Sequence, residues 1–217
     1  MLQKIHVSLR QGRIVALLGP RQAGKTTLAR QFVSADSLQY FDLENPVSIA
    51  RLAEPQNVLS TLKGIVVIDE VQRQPELFSI LRVLADRKPL PAKFLILGST
   101  SPELIKHSSE SLAGRLTRLT VGGFSLDEVG LKFFNKHWLR GGFPRSFLAH
   151  TENESLNWRK DFIQSLIEKD LPAYGMALPS FTLLRFWTML AHYHGQVWNA
   201  SEPARSLGIS EMTIKRY

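Results

Sequence analysis

Cysteine is absent from the sequence, which excludes a disulfide framework and any thiolate zinc site. Long apolar runs are absent as well. No stretch approaches the roughly eighteen residues of a membrane-spanning helix, and residues 1–10 lack the apolar core of a signal peptide. These absences lead us to expect a soluble, cytoplasmic chain without membrane contact. No internal repeat or low-complexity segment is visible. Basic charge is present but not concentrated. The formal net charge is +8, and the surplus of Lys and Arg over Asp and Glu is 6 in residues 1–121 and 2 in residues 122–217. A basic surface suits anionic partners, although a nucleic-acid reader would gather its excess into one stripe. With 217 residues, 44% of them hydrophobic, the chain can bury one good core with a smaller module appended.

What is present is organised around Gly19-Pro20-Arg21-Gln22-Ala23-Gly24-Lys25-Thr26, which matches G-x-x-x-x-G-K-[ST] throughout. It follows the apolar run Ile14–Leu18 and precedes a helix-like segment that begins with Thr27. That strand–loop–helix setting predicts a phosphate site rather than a glycine turn with a surface lysine. Backbone N–H groups of a tight loop, with the positive end of the following helix, converge on one anion. Gly19 and Gly24 permit angles and approaches that a side chain would block. Lys25 offers a point charge to the β- and γ-phosphates, and Thr26 offers a hydroxyl ligand to Mg²⁺. The expected ligands are ATP or ADP with Mg²⁺, held by residues 19–27.

The rest of the first half alternates strand and helix. Strands are expected at 14–18, 38–42, 64–70, 94–97 and 116–121, with helical segments at 25–34, 46–52, 55–62 and 75–86. Such alternation implies an α/β fold with parallel strands and crossover helices on both faces. The clearest strand, 64–70, ends in Asp69-Glu70. In P-loop enzymes an Asp in this place holds the metal, and an adjacent Glu can polarise a water for attack on the γ-phosphate. The plainer readings are a helix cap for Asp69 and a solvated loop acid for Glu70. The fourth strand ends in Gly98-Ser99-Thr100-Ser101-Pro102. A hydroxyl there can hold the water or sense the γ-phosphate, or can simply cap a helix before Pro102. A P-loop strand, an extra strand, a D-E strand and a strand with a polar tip describe an ATPase of the additional-strand type.

At this point the residues resemble a family. The P-loop through Thr27-Leu28, Val67-Ile68-Asp69-Glu70-Val71-Gln72 and Leu97-Gly98-Ser99-Thr100-Ser101 are similar to the bacterial and archaeal AAA-type ATPases filed as AAA_14, which carry a DUF4143 region. Ser111-Leu112-Ala113-Gly114-Arg115, Phe124-Ser125-Leu126-Asp127-Glu128 and Gly141-Gly142-Phe143-Pro144 resemble further family patterns. The resemblance implies an AAA+/STAND-related switch with strand order 5-1-4-3-2. It gives Lys25 and Thr26 phosphate and metal roles, Asp69 the metal acid, Glu70 the water activator and Ser99 a sensor-like place. Arg115 resembles the family's arginine before strand five. It would stabilise charge in its own site or a neighbour's, or else form a surface ion pair, with Arg118 and Arg145 as rivals. Family members usually run longer, so the resemblance also implies a truncated chain.

Beyond residue 121 the pattern turns helical. A capping box, Ser125 to Glu128, opens a helix expected over 125–138. Trp158, Phe162, Ile163, Leu166, Ile167 and Leu171 recur at helical spacing. The segment 181–194 is apolar nearly all round and is expected to be buried. His192 and His194 lack further ligands for a metal. Near the end, Ala204, Leu207-Gly208-Ile209-Ser210 and Thr213-Ile214 have helix-turn-helix spacing, with Gly208 at the turn and Ser210 as cap. Thr213, Lys215 and Arg216 would face DNA, although such modules also serve as packing or docking units. The expected organisation is a P-loop ATPase core over 1–121, a helical lid over 122–195 and an incomplete (winged) helix-turn-helix over 196–217. The expected activity is an ATP-hydrolysing switch. The alternatives are an ATP-dependent DNA-binding regulator or loader contacting DNA through residues 200–217, and a non-catalytic nucleotide-binding scaffold. An unidentified protein partner and oligomers are compatible with each.

Overall fold

A computed structural model describes residues 1–99, 111–173 and 179–216 of the chain. Two compact units emerge, Met1–Ser155 and Leu156–Tyr217. Among the described residues, no helix is long and apolar enough to cross a membrane. Thr100 and Ser101, part of the expected polar tip, lie outside the described residues, as does Tyr217.

The first unit is built on five strands: β1 (Ile14–Leu18), β2 (Tyr40–Asp42), β3 (Gly64–Asp69), β4 (Ala92–Gly98) and β5 (Leu116–Thr120). They pair in the order β2-β3-β4-β1-β5, and each pairing is parallel. This is the expected order 5-1-4-3-2 read from the other edge. Parallel strands covered on both faces need apolar residues in both phases of the pleat. β1 has them. Ile14 and Ala16 join Phe41, Leu59, Phe78, Leu81 and Phe94 in the core on one face. Val15 and Leu17 join Ile5, Leu9, Ala29, Val67 and Leu95 on the other. Each fully buried Leu or Phe contributes about 1.5–3 kcal/mol relative to exposure.

The helices Pro46–Arg51 and Pro55–Thr61 carry a proline at their starts, where a missing N–H costs nothing. Leu77–Ala85 covers the first face through Leu77, Phe78, Leu81 and Leu84. Several segments differ from the sequence reading, among them the helix expected over 25–34, which is Lys25–Ala29. The helix α1 (Leu2–Gln11) is one that no sequence signal announced; it buries Ile5 and Leu9, one turn apart, in the second core. The helix expected over 125–138 is divided. Its capping box forms, with Glu128 Oε2 accepting from Ser125 N at 3.1 Å. Gly130, at φ 86°, then ends Leu126–Val129, and the chain restarts as Phe134–Arg140.

In the second unit, Glu211–Arg216 and Ser201–Leu207 are joined by a tight turn. Gly208 is left-handed at φ 67°. Its N–H reaches Arg205 O at 3.4 Å while Ile209 N reaches Ala204 O at 3.1 Å, the paired bonds of a Schellman turn. Ser210 Oγ accepts from Thr213 N at 3.1 Å and caps the last helix. Phe186, Ala200, Ala204 and Ile214 form the small core here. The helix expected to be buried all round is Ser180–His192, and it buries only Leu183 and Phe186. Phe181 is 76% exposed. Among the described residues, the small core of this unit meets the helix on the face that carries Phe186.

Back in the first unit, residues 122–124 cross residues 141–143 backbone against backbone. Phe124 N donates to Gly142 O at 2.6 Å, and a Cβ on Gly123 would lie 2.4 Å from the Gly142 carbonyl carbon. The crossing fixes Pro144, whose Cγ would lie 3.7 Å from a Cβ on Gly24. Because the obstacle is main chain, Gly123→Ala is expected to cost about 1–3 kcal/mol in urea denaturation. An unchanged midpoint would show that the crossing is loose.

Candidate functional site

Parallel pairing places the carboxyl ends of all strands on one edge, and the register is explicit. Leu18 pairs with Gly98 and with Thr120, and Asp42 pairs with Asp69. The residues that follow these strand ends, Gly19, Glu70 and Ser99, are thereby brought to the same edge. In open α/β sheets this edge is where ligands bind.

The loop 19–24 begins in close quarters. Gly19 N donates to Gly98 O at 3.4 Å, and a Cβ on Gly19 would sit 1.9 Å from Val121 O. Only glycine fits. Ala23 N bonds to Pro20 O at 3.4 Å, while Gln22 and Gly24 adopt φ values of 62° and 94°. Left-handed residues within such a turn tilt successive N–H groups toward one side, the arrangement that receives anions. Lys25 opens the helix α2 (Lys25–Ala29) and is only 6% exposed. Its Nζ donates to Gly19 O at 3.0 Å and Pro20 O at 2.9 Å. Burial holds the ammonium pKa below its ordinary value, a pull opposed by the charges of Glu70 and Asp69 and reinforced by Arg21. A phosphate oxygen would compete with two carbonyls for this cation and would relieve its burial.

Asp69 is 3% exposed and fully engaged. Oδ2 accepts from Thr26 Oγ1 at 2.8 Å and from Tyr40 Oη at 2.8 Å, while Oδ1 accepts from Glu70 N at 3.0 Å. Tyr40 escaped the sequence reading, since an aromatic inside a short strand looks like core. Burial, then the charge of Asp69 and the hydrogen bond to it, push the Tyr40 phenol pKa well above its ordinary value, so it stays a donor. The donor set fits magnesium, which prefers hard oxygen ligands. The single Thr26 proton is committed to Asp69, which leaves the hydroxyl lone pairs for a cation. Glu70 is left-handed at φ 56°, ψ 44°, an uncommon conformation for a residue with a side chain. Its Oε2 accepts a short hydrogen bond from the Gln72 amide.

Ser99 follows β4 directly, next to the Gly98 carbonyl that receives Gly19 N, and is half-buried. Arg115 is elsewhere. It precedes β5, with its carbonyl accepting from Ile14 N at 3.3 Å. Ile14 and Leu18 are the two ends of β1, so Arg115 stands at least about 13 Å from the loop at strand rise. Its guanidinium grips Asp86 through Nε at 2.8 Å and Nη2 at 2.6 Å, and Arg13 joins the same carboxylate at 2.8 Å. Of the readings open for Arg115, the structure shows the ion pair, formed at the end of the sheet opposite the loop because Arg115 precedes β5 instead of following it. Of its rivals, Arg118 is exposed and level with Ala16 mid-strand. Arg145 is exposed on Pro144–Phe147, whose first residue faces Gly24. Nearer the loop, Arg21, one of the residues 19–27 expected to hold the nucleotide, shares a carboxylate with Arg73, which the sequence reading did not single out. Glu44 Oε1 lies 3.9 Å from Arg21 Nη2 and 2.7 Å from Arg73 Nη2.

Beside the loop opens a cleft of about 280 Å³. Ala23, Gly24, Thr27 and Leu28 form one wall, and Val121 and Phe124 belong to the other. Its mainly apolar lining suits a flat ring better than a charged group.

His192 and His194 gain no companions: among the described residues, no three His, Cys, Asp or Glu side chains cluster to hold a metal. For Arg115, its place at the far end of the sheet predicts that Arg115→Ala leaves nucleotide dissociation constants within about two-fold, since distant sites rarely couple. A ten-fold loss in equilibrium binding by the monomer would return Arg115 to the site.

Comparison with known proteins agrees with this geometry. Residues 11–130 match the AAA_14 family, described as an AAA domain. Residues 131–217 match DUF8612, a domain of unknown function, which corrects the DUF4143 region implied by the resemblance. The chain is 47% identical over 214 residues to "Uncharacterized protein Rv2008c" of Mycobacterium tuberculosis and equally to "Uncharacterized protein Mb2031c" of Mycobacterium bovis. In each case 99% of this chain aligns with 48% of the relative, so it spans about half their length. Among solved structures, the Walker-type ATPase PABY2304 of Pyrococcus abyssi superposes with a TM-score of 0.56 at 18% identity, covering 83% of this chain and 76% of that one. That likeness concerns the fold alone. With the loop, the acid pair and the strand order in place, the chain belongs to the AAA_14 family, and its amino-terminal unit has the fold of a P-loop NTPase.

Proposed function

We propose that the chain binds ATP and ADP with Mg²⁺ through residues 19–27 and Asp69, and that it hydrolyses ATP. The observation that carries this reading is the meeting of Lys25, Thr26, Asp69 and Glu70 on one strand edge, with Thr26 and Asp69 joined at 2.8 Å. Peptide N–H groups of the loop and the Lys25 ammonium receive the β- and γ-phosphates. The base enters the apolar cleft beside Ala23 and Leu28. Thr26 and Asp69 would hold Mg²⁺, which supplies neutralisation of the phosphate oxygens when bound. Glu70 orients a water and accepts its proton while the water oxygen attacks the γ-phosphorus. The bond from that phosphorus to the bridging oxygen breaks, leaving ADP and inorganic phosphate. The Ser99 hydroxyl, at the next strand tip, holds the water or reports the γ-phosphate.

In this reading the protein is a switch, with the bound nucleotide state biasing the helices beyond residue 121. A second reading, DNA binding licensed by ATP, is favoured by the tight glycine turn at Gly208 and the Ser210 cap. The helix after that turn carries Thr213, Lys215 and Arg216.

Two substitutions separate binding from turnover. Lys25→Ala is expected to abolish the nucleotide-dependent rise in melting temperature, which for the parent corresponds to about 2.7 kcal/mol at a hundred-fold excess over Kd. Glu70→Gln is expected to keep ATP affinity while lowering phosphate release about 10²–10⁴-fold. Equal release by parent and Glu70→Gln would favour the non-catalytic scaffold. For the DNA reading, retention on duplex DNA with ATP and Mg²⁺ should weaken steeply with salt; no retention at low salt would remove it.

A further inference from the structure

We propose that Tyr40 is a positioning residue for the magnesium site, acting by orienting Asp69 so that Thr26 presents its lone pairs to the cation. The inference rests on the nucleotide and Mg²⁺ reading above and assigns to it a residue outside the loop and the acid pair.

Tyr40 begins β2, the edge strand, and is 4% exposed. Its ring belongs to the apolar cluster that includes Val67, Leu95 and Leu97, and the guanidinium of Arg30 lies 6.0 Å from the ring centroid. Packing alone would be served by phenylalanine. A hydroxyl buried in such surroundings costs free energy unless it is hydrogen-bonded, and its partner here is Asp69 Oδ2, 2.8 Å away. The same oxygen receives Thr26 Oγ1, also at 2.8 Å. The opposite oxygen is held by Glu70 N at 3.0 Å.

An ionised carboxylate only accepts hydrogen bonds, so the proton directions follow. Both hydroxyl protons point at Oδ2, and the Thr26 oxygen is left with lone pairs facing away from Asp69. The terminal torsion of an aspartate is soft and roughly two-fold. Three donors on separate segments, β2, α2 and the peptide after β3, remove that freedom. Without the phenol, Oδ2 keeps one anchor and the Thr26 proton is no longer confined to one direction. The expected consequence falls on the metal and not on the phosphate grip, because the Lys25 ammonium is anchored by the loop carbonyls of Gly19 and Pro20.

Groups that orient a metal ligand typically change metal affinity about 10–100-fold when removed. The test is Tyr40→Phe, which deletes one oxygen and keeps the ring. ATP binding is measured in EDTA and then across a MgCl₂ titration. ATP affinity in EDTA should stay within about two-fold of the parent, while the Mg²⁺ concentration giving half the gain in affinity should rise about ten-fold. Mn²⁺, followed by its electron paramagnetic resonance signal, should show the same weakening in the ATP complex. An unchanged Mg²⁺ midpoint in the folded variant overturns the proposal, and so do equal losses with and without metal, which would mark the hydroxyl as merely structural. If Tyr40→Phe does not fold, Tyr40→Met keeps apolar volume without the hydroxyl and is held to the same outcomes. A parent that binds ATP without any response to Mg²⁺ overturns this proposal together with the metal part of the reading it rests on; a parent that binds no ATP overturns the reading as a whole.

Discussion

Parallel strands all end on the same edge, and nearly everything of chemical interest in this chain follows from that constraint. Leu18 level with Gly98 and Thr120, and Asp42 level with Asp69, mean that loops distant in sequence open beside one another. Residues 19, 70 and 99 are thereby brought to one edge. The same constraint removes Arg115, which precedes its strand instead of following it. Strand direction, not distance along the chain, decides which residues share the edge.

Within that edge the local forces are those of buried charge. Lys25 is nearly out of water and is stabilised by two loop carbonyls. Such an ammonium is poorly solvated, which raises its demand for an anion. Asp69 is the complementary case, a buried carboxylate made tolerable by two hydroxyls and a peptide N–H. Each charge alone would be costly in this setting; donors, acceptors and the opposite charges nearby offset the cost. The arginines on Glu44 are different in kind. They are about half exposed, and water screens them, so they shape the field at the loop more than they hold the fold.

Close backbone crossings set how the remaining parts of the first unit approach the loop. Gly19 against Val121 O and Gly123 against Gly142 leave no room for a side chain. They bring the segment after β5 and the residue Pro144 onto the loop, and one wall of the cleft is made from them. Gly122 and Gly123 line the cleft and Gly142 leaves room for the crossing beside it, although none of them has a group that could react.

Local patterns are what the sequence by itself determined. The glycine–lysine loop, the apolar strand ending in two acids, the Ser125–Glu128 box and the Gly208 turn each depend on residues within a few positions, whose conformational preferences act wherever the chain goes. The alternation of strands and helices settled the parallel α/β class, and the family resemblance supplied the strand order. Tertiary structure alone decided the rest. Tyr40 meets Asp69 across 29 positions and Arg115 meets Asp86 across the same number, and no periodicity encodes a pairing between separate strands. Leu2–Gln11 is held by burial of Ile5 and Leu9 against a sheet that does not exist until it folds. Phe181 stays exposed because, among the described residues, no apolar surface of its own unit covers it. Hydrophobic pattern states which residues can be buried; the register of distant segments states which of them are, and which polar groups they bring together.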